Sequence, residues 1–471
     1  MLIVDAEVAG MPGLSVRTGG GRVAEVGRDL SRFPGEEVLD ARGGAVIPGL
    51  HDHHVHLRSA VAAASSVALD PLALSEQGGL APALRAAARQ LATGEWLRGV
   101  GISGPWAETL DRWDLDAVVD DRPVRVQHRT GELWVLNSAA VRELDVQRWT
   151  DGGVERTPDG TATGRLWRLD HRLRGAGAGA GAGVVNRTGM GELSSRALRL
   201  GITGFTDATP GLTASGLEDL ESLEADGSIR QRLTVMAGPE LPRLAASRVR
   251  LGPQKIVLDD ACLPGEDELV GTVAQAHRRA VPVAIHCVTA AQLVVAVAGL
   301  RSAGGLAGDR IEHAGVVPPG YADELADLRV TVVTQPGFIA ARGEEYLRDV
   351  SAGEQPWLYP CASLRAAGVA VAAGSDAPFG PLNPWVAMRA AVSRRAASGA
   401  VVGAGERVDP VSALGLYLGR AGAPGHQRRV APGEPGDLCV LRHPLTGVLT
   451  DLGAHQVAAV VVRDEVHTWE R

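Results

Sequence analysis

The sequence predicts an α/β protein, a (β/α)8 TIM-like barrel with a small β-sandwich domain formed by both chain termini. Three observations carry the prediction. Eight short apolar runs recur, at 44–57, 201–208, 230–237, 254–260, 281–287, 309–315, 329–336 and 368–376. Helix-like stretches rich in Ala, Leu and Arg, such as ELVGTVAQAHRRA and AAQLVVAVAGLRSAG, lie between several of them, and strands alternating with helices argue for a parallel sheet with crossover connections. Six of the eight runs also carry a polar or titratable residue, mostly at the C-terminal end: His54 and His56, Asp207, Lys255 with Asp259, His286, His313, and Asp376. That end is where such a barrel places its active site. Lys255 fits this pattern least well, because it stands early in its run.

The flanking segments have a different texture. MLIVDAEVAG, LSVRTGGGRVAEVG and EEVLDARGGAVI at the start, and GDLCVLRHP and VAAVVVRDEVHTW at the end, alternate apolar and polar residues between Gly and Pro. This period of two predicts short strands, and we assign residues 1–47 and 410–471 to one composite β-sandwich domain. The barrel then occupies 48–409, with an insertion at about 60–200 between its first and second strands. The insertion holds Trp96, Trp106, Trp113, Trp134, Trp149 and Trp167 and is the least regular part of the chain. Its Gly/Ala tract, 175–183, reads as a flexible loop.

Composition excludes several functions. The net charge is -8, from 47 basic and 55 acidic residues mixed along the 471-residue chain, so no basic patch points to nucleic acid or to a polybasic membrane contact. No stretch of ~20 uncharged apolar residues is present to span a bilayer, and the N-terminus lacks the basic-then-apolar pattern of a signal peptide. Cys262, Cys287, Cys361 and Cys439 are scattered and read as reduced thiols. The expectation is a cytoplasmic protein acting on a small molecule, with a homo-oligomer compatible with all of this. One count is more informative. Of the 47 basic residues only Lys255 is a lysine. Where arginine otherwise serves every need for positive charge, a position that keeps lysine is one that needs an amine able to become neutral, which guanidinium does not do.

The chemistry starts from His54-Val55-His56. On a strand, residues two apart face the same side, so both imidazoles can hold one ion. His51 and His53 share the run but face away by the same parity. His286 and His313 each close a later strand and Asp376 closes the eighth. Imidazoles and a carboxylate converging at a barrel mouth suit a divalent ion such as Zn2+. A second ion needs a bridging anion, and a neutral Lys255 amine carboxylated by CO2 would supply one. The candidate metal ligands are thus His54, His56, Lys255, His286, His313 and Asp376.

With these residues in hand, PGLHDHHVHL resembles the PGxxDxHxH signature of the amidohydrolase superfamily. Most of the chain resembles its subfamily of N-substituted formamide deformylases, through RPVRVQHRTGELWVLNSAA (122–140), ATGRL (162–166), KIVLDD (255–260), AIHC (284–287), RIEHA (310–314), VVTQP (332–336) and AAGSDAPFG (372–380). The resemblance implies two metal ions, His54, His56 and Asp376 on one and His286 and His313 on the other, with carboxylated Lys255 and a hydroxide between them. This chain departs from it at Thr130-Gly131-Glu132-Leu133, where DGHS is usual, and at Trp167-Arg168, where an acidic residue often follows the GxL motif. It departs again at His286-Cys287-Val288-Thr289-Ala290, where HAIGD is usual.

The expected reaction is hydrolysis of a C–N amide-type bond, linear or cyclic. Two cations lower the pKa of a shared water towards about 7. Asp376 takes its proton during attack on the carbonyl and returns it to the leaving nitrogen. Gln335, Arg342, Tyr346, Phe379 and Trp385 are the candidate substrate contacts. One rival is a mononuclear deaminase on the same fold, which needs a Glu where this chain has Thr289 and leaves Lys255 without a task. The other is a non-catalytic scaffold, which does not account for a complete ligand set. Cys287 points away from the barrel axis by parity and reads as packing, and no G-x-S-x-G motif is present.

Overall fold

The computed structural model describes residues 1–175, 186–238, 241 and 248–469. The Gly/Ala tract lies outside them, apart from Gly175. The chain divides into two compact units, residues 1–57 with 190–471, and residues 58–189.

The first unit is built on eight parallel strands: β1 (Leu50–Val55), β2 (Ile202–Asp207), β3 (Arg232–Ala237), β4 (Arg250–Val257), β5 (Val283–Cys287), β6 (Arg310–His313), β7 (Thr331–Thr334) and β8 (Ala370–Ala373). Each pairs with its neighbour in chain order. The ends meet just beyond the strands. Asp376 N–H donates to the His54 carbonyl at 2.7 Å and His56 N–H to the Ala377 carbonyl at 2.9 Å, drawing β8 onto β1 to make the barrel. Gly374 permits this approach, because a Cβ there would lie 2.5 Å from the His54 nitrogen.

Helices follow the strands as the apolar spacing predicts. In Ala290–Ala303, Leu293, Ala296, Val297 and Leu300 are buried, one face at intervals of three and four residues. Thr289 starts this helix through a capping box with Gln292, each side chain satisfying a backbone N–H that has no partner inside the helix. Among the described residues no helix is long and apolar enough to cross a membrane.

The strand ends differ from the sequence reading in two instructive places. The first run, 44–57, is two strands. Val46–Pro48 pairs antiparallel with Leu438–Leu441 in another sheet, and Leu50–Val55 alone enters the barrel. The fourth strand starts earlier than its apolar run, at Arg250, and ends at Val257. Lys255 therefore stands two residues from the C-terminal end of β4, the end at which the other candidate ligands gather.

The chain termini form two four-stranded sheets. One orders Arg22–Gly27, Met11–Gly19, Leu2–Val8 and Val38–Asp40, and the other Glu465–Thr468, Val457–Val462, Leu438–Leu441 and Val46–Pro48. Ile3, Val16, Val23, Val46, Leu438, Val440 and Val461, from both sheets, share one buried cluster. Residues 433–436 bond to the strand Arg22–Gly27 and the turn before it, whereas residues 416 and 417 bond to the barrel. His51 N–H donates to the Tyr417 carbonyl and Ala373 N–H to that of Leu416, both at 2.9 Å.

The second unit, the insertion, is more regular than its sequence suggests. It carries a six-stranded sheet ordered Val154–Arg156, Ala162–Trp167, Leu133–Leu136, Val124–His128, Leu97–Ile102 and Val67–Ala68. Its tryptophans pair with arginines: Arg98 and Arg125 lie over Trp134, and Arg172 over Trp149 at 4.7 Å. Such cation–π contacts put charged residues where a half-buried strand would otherwise show apolar ones, which hides the period of two.

Candidate metal centre

The C-terminal ends of β1, β4, β5, β6 and β8 bring the predicted ligands together. His56 Nε2 lies 3.1 Å from Asp376 Oδ1, and His54 Nε2 lies 3.5 Å from the same oxygen. Among the described residues, His54, His56 and Asp376 form a group whose ligand atoms all fall within 4.8 Å of one another. His313 joins from β6. Its ring centroid is 4.7 Å from that of His54 and 4.5 Å from that of His286 on β5, and its Nδ1 lies 4.0 Å from Asp376 Oδ2. Lys255 is coupled electrostatically to His54, His286 and His313, and to Asp376.

Burial sets the protonation of these groups. It removes solvent from the charged forms and holds His54 and His313 well below the usual histidine value. His286 is pushed down to about 3, by burial first and the nearby Lys255 charge second. The three rings are therefore neutral and offer lone pairs. Burial also lowers the Lys255 amine, against the opposing pull of Glu312 and Asp376.

The donor set fits a divalent ion. Buried polar atoms almost always find a partner, yet His54 Nε2, Asp376 Oδ1 and Lys255 Nζ are buried with no hydrogen-bond partner among the described residues. Imidazole nitrogen and carboxylate oxygen are the donors such ions take. Two of the candidate ligands also sit on unusual backbone. His313 has φ 70° and Asp376 has φ 54°, left-handed conformations that non-glycine residues adopt at a cost and that gather at functional sites.

The surrounding residues hold the candidate ligands in place. Asp52 Oδ1 accepts from Ser375 N–H at 2.9 Å and from His54 N–H at 3.2 Å, tying β1 to the segment that carries Asp376. Burial pushes its carboxyl up to about 7. His51 bonds Thr206 Oγ1 at 2.9 Å and stacks against His53 at 4.5 Å. Asp207 accepts from the backbone N–H of Leu57 and of Thr209, so this strand-end carboxylate fixes loops.

Of the predicted substrate contacts, Phe379 lies edge-on to His56 at 5.6 Å. Arg342 donates to the Phe379 carbonyl at 2.5 Å and lies over the Phe338 ring at 4.2 Å. The Tyr346 hydroxyl meets that of Tyr359 at 3.3 Å. Gln335 is fully buried with its amide engaged. Its Oε1 accepts from His313 Nδ1 at 2.8 Å, and its Nε2 donates to the Val333 carbonyl at 3.3 Å. Trp385 is in the core, its indole N–H on the Leu200 carbonyl at 2.9 Å. Thr289, where a deaminase needs an acid, spends its hydroxyl on the Gln292 N–H and on Asp260.

The sequence reading missed Glu312 and Arg310. Both are fully buried on β6. Glu312 bonds His54 Nδ1, and Arg310 holds Glu312 with two N–H donors at 2.6 and 3.0 Å. The signal was present: two residues apart on a strand share a face, so Arg310 and Glu312 point the same way in a buried run.

A parallel barrel with histidines and an aspartate gathered at one end of its strands is an arrangement able to hold a divalent metal ion. Residues 37–468 match the amidohydrolase family, and the chain belongs to that family. The N-substituted formamide deformylase of Arthrobacter pascens is 26% identical over 519 aligned residues, covering 97% of this chain and 95% of that protein. The putative amidohydrolase YtcJ of Bacillus subtilis (strain 168) is 25% identical, over 87% of this chain and 86% of its own. Among solved structures, an uncharacterized metal-dependent hydrolase from Pyrococcus horikoshii OT3 shares the fold with a TM-score of 0.71 at 20% identity, covering 92% of this chain and 95% of that one.

Proposed function

We propose that the chain hydrolyses a C–N amide-type bond, linear or cyclic, at a centre of two divalent metal ions, with Zn2+ as the natural choice for the donor set. His54, His56 and Asp376 would hold one ion, His286 and His313 the other, and Lys255, carboxylated on its amine, would bridge them. The observation that carries this reading is that His54 Nε2, Asp376 Oδ1 and Lys255 Nζ are each buried with no hydrogen-bond partner among the described residues. When bound, the ions supply Lewis-acid polarisation of the substrate carbonyl and lower the pKa of a shared water.

The side chains supply the rest. Asp376 lies beside His54, His56 and His313, where its carboxylate can accept the proton of the attacking water and return it to the leaving nitrogen. Positioned proton transfer of this kind contributes ~10²–10⁴-fold. The closure of β8 on β1 holds that carboxylate at the barrel mouth through the Asp376 N–H. Phe379, packed on His56, gives the site an apolar wall. Arg342 and Tyr346 remain the polar candidates for orienting a substrate beyond it. The formamide deformylase of Arthrobacter pascens makes N-substituted formamides the first compounds to try.

The two terminal sheets, which share a core, are read as one composite β-sandwich domain. The four cysteines are all free, which supports a cytoplasmic location. The functional test is a screen of N-substituted formamides, N-acyl amines and cyclic amides with the metal-loaded protein. The expected result is equimolar acid and amine from one class, or a single ring-opened product. Deamination of an aminated ring without acyl cleavage would contradict the reading.

A further inference from the structure

We infer that Glu312, clamped by Arg310, is the positioning residue that fixes the His54 ring for metal binding; this rests on His54 being a ligand. Arg310 Nε donates to Glu312 Oε1 and Arg310 Nη2 to Glu312 Oε2, a two-pronged pair in which both side chains are fully buried. Nη2 also donates to the His53 carbonyl at 2.8 Å, so the same guanidinium grips β1 one residue before His54. The remaining contact of the carboxylate is with His54 Nδ1.

A carboxylate oxygen only accepts when ionised, so Nδ1 must carry the proton. The lone pair is then on Nε2, the nitrogen that faces Asp376 at 3.5 Å and has no hydrogen-bond partner among the described residues. One contact thus sets the tautomer, the ring rotation and the direction of the free lone pair. A carboxylate behind the ring also makes the imidazole a stronger donor to the ion.

Stability does not account for the pair. Burying Arg and Glu together carries a desolvation penalty that roughly offsets their attraction, and apolar residues of similar volume often do as well. What apolar residues cannot provide is an oxygen fixed on Nδ1. Arg310 serves by holding that oxygen still, and its grip on the His53 carbonyl keeps acceptor and ring on a common support.

The test is metal affinity. Zn2+ binding is measured by chelator competition for wild type, Glu312→Gln, His54→Ala and the double variant, with circular dichroism on each. Glu312→Gln is expected to bind Zn2+ about 10–100-fold more weakly, and to add no further loss in the His54→Ala background, since the two residues act as one unit. Affinity within twofold of wild type in a folded Glu312→Gln would overturn the inference while leaving the metal site standing. The same fold-loss with and without His54 would also overturn it. Wild type binding no Zn2+ would overturn the ligand reading and this inference with it. Should Glu312→Gln fail to fold, imidazole 15N spectra of metal-free wild type decide the matter. A His54 tautomer protonated at Nδ1 is expected, and one protonated at Nε2 contradicts the role.

Discussion

Replacing Lys255 by Met is expected to stabilise the metal-free protein while abolishing its activity. The amine is buried without a hydrogen-bond partner among the described residues, and burial lowers its affinity for a proton. An unsatisfied buried polar group costs about 1–3 kcal/mol, and Met fills nearly the same volume without one. At about 2.1 cal/mol/K per residue, a chain of 471 residues unfolding as one unit has an unfolding entropy near 1 kcal/mol/K, so the gain is roughly 1–3 °C in Tm. The pH dependence has a definite sign. With its proton affinity lowered in the folded state, Lys255 is protonated more in the unfolded chain, so wild-type stability rises with pH towards the ordinary lysine value of 10.5. Lys255→Met lacks that rise, and its advantage shrinks as pH approaches this value. Thermal unfolding of chelator-treated protein from pH 7 to 10 reads both effects, and turnover of the metal-loaded enzyme reads the third. A metal-free Lys255→Met that is less stable than wild type would refute the claim that the amine is unsatisfied. Full activity in Lys255→Arg would refute the bridge, because guanidinium does not take up CO2.

Two further outcomes follow from the geometry. Asp376→Asn should lose about 10²–10⁴-fold in kcat with the fold intact, since Asn also tolerates the left-handed backbone found at this position; an unchanged rate would remove Asp376 as the proton carrier. Gly374→Ala should destabilise by about 1–3 kcal/mol, because its Cβ would press on His54 N and Cβ at 2.5 and 2.6 Å. Chemical denaturation measures this, and a neutral result would contradict a tight closure of β8 on β1.

The barrel and the strand-end positions of the candidate ligands were legible because both depend on local pattern. Short apolar runs ending in His or Asp mark strand ends, and His54 and His56 show their shared face directly. The ends themselves were less legible. Hydrophobicity alone does not divide 44–57, and only Gly49 separates the strand of the terminal sheet from β1. Lys255 looked misplaced because Arg250 to Pro253 lacks an apolar run, yet the backbone pairs there with β3. Asp207 shared the strand-end position of the candidate ligands but caps loops, a distinction set by tertiary contacts. Glu312 and Arg310 were overlooked because an ion pair inside a strand is visible only once its neighbours, here His54 and the His53 carbonyl, arrive from a distant part of the chain.

The most direct test of the binuclear centre is the content of divalent metal per chain, by elemental analysis of protein loaded with Zn2+ in bicarbonate buffer and freed of excess. Wild type should hold two ions, and Lys255→Ala should lose metal and recover part of its activity with a short carboxylic acid. One ion or none in wild type, or two in Lys255→Ala without any added acid, would contradict a carbamate-bridged pair.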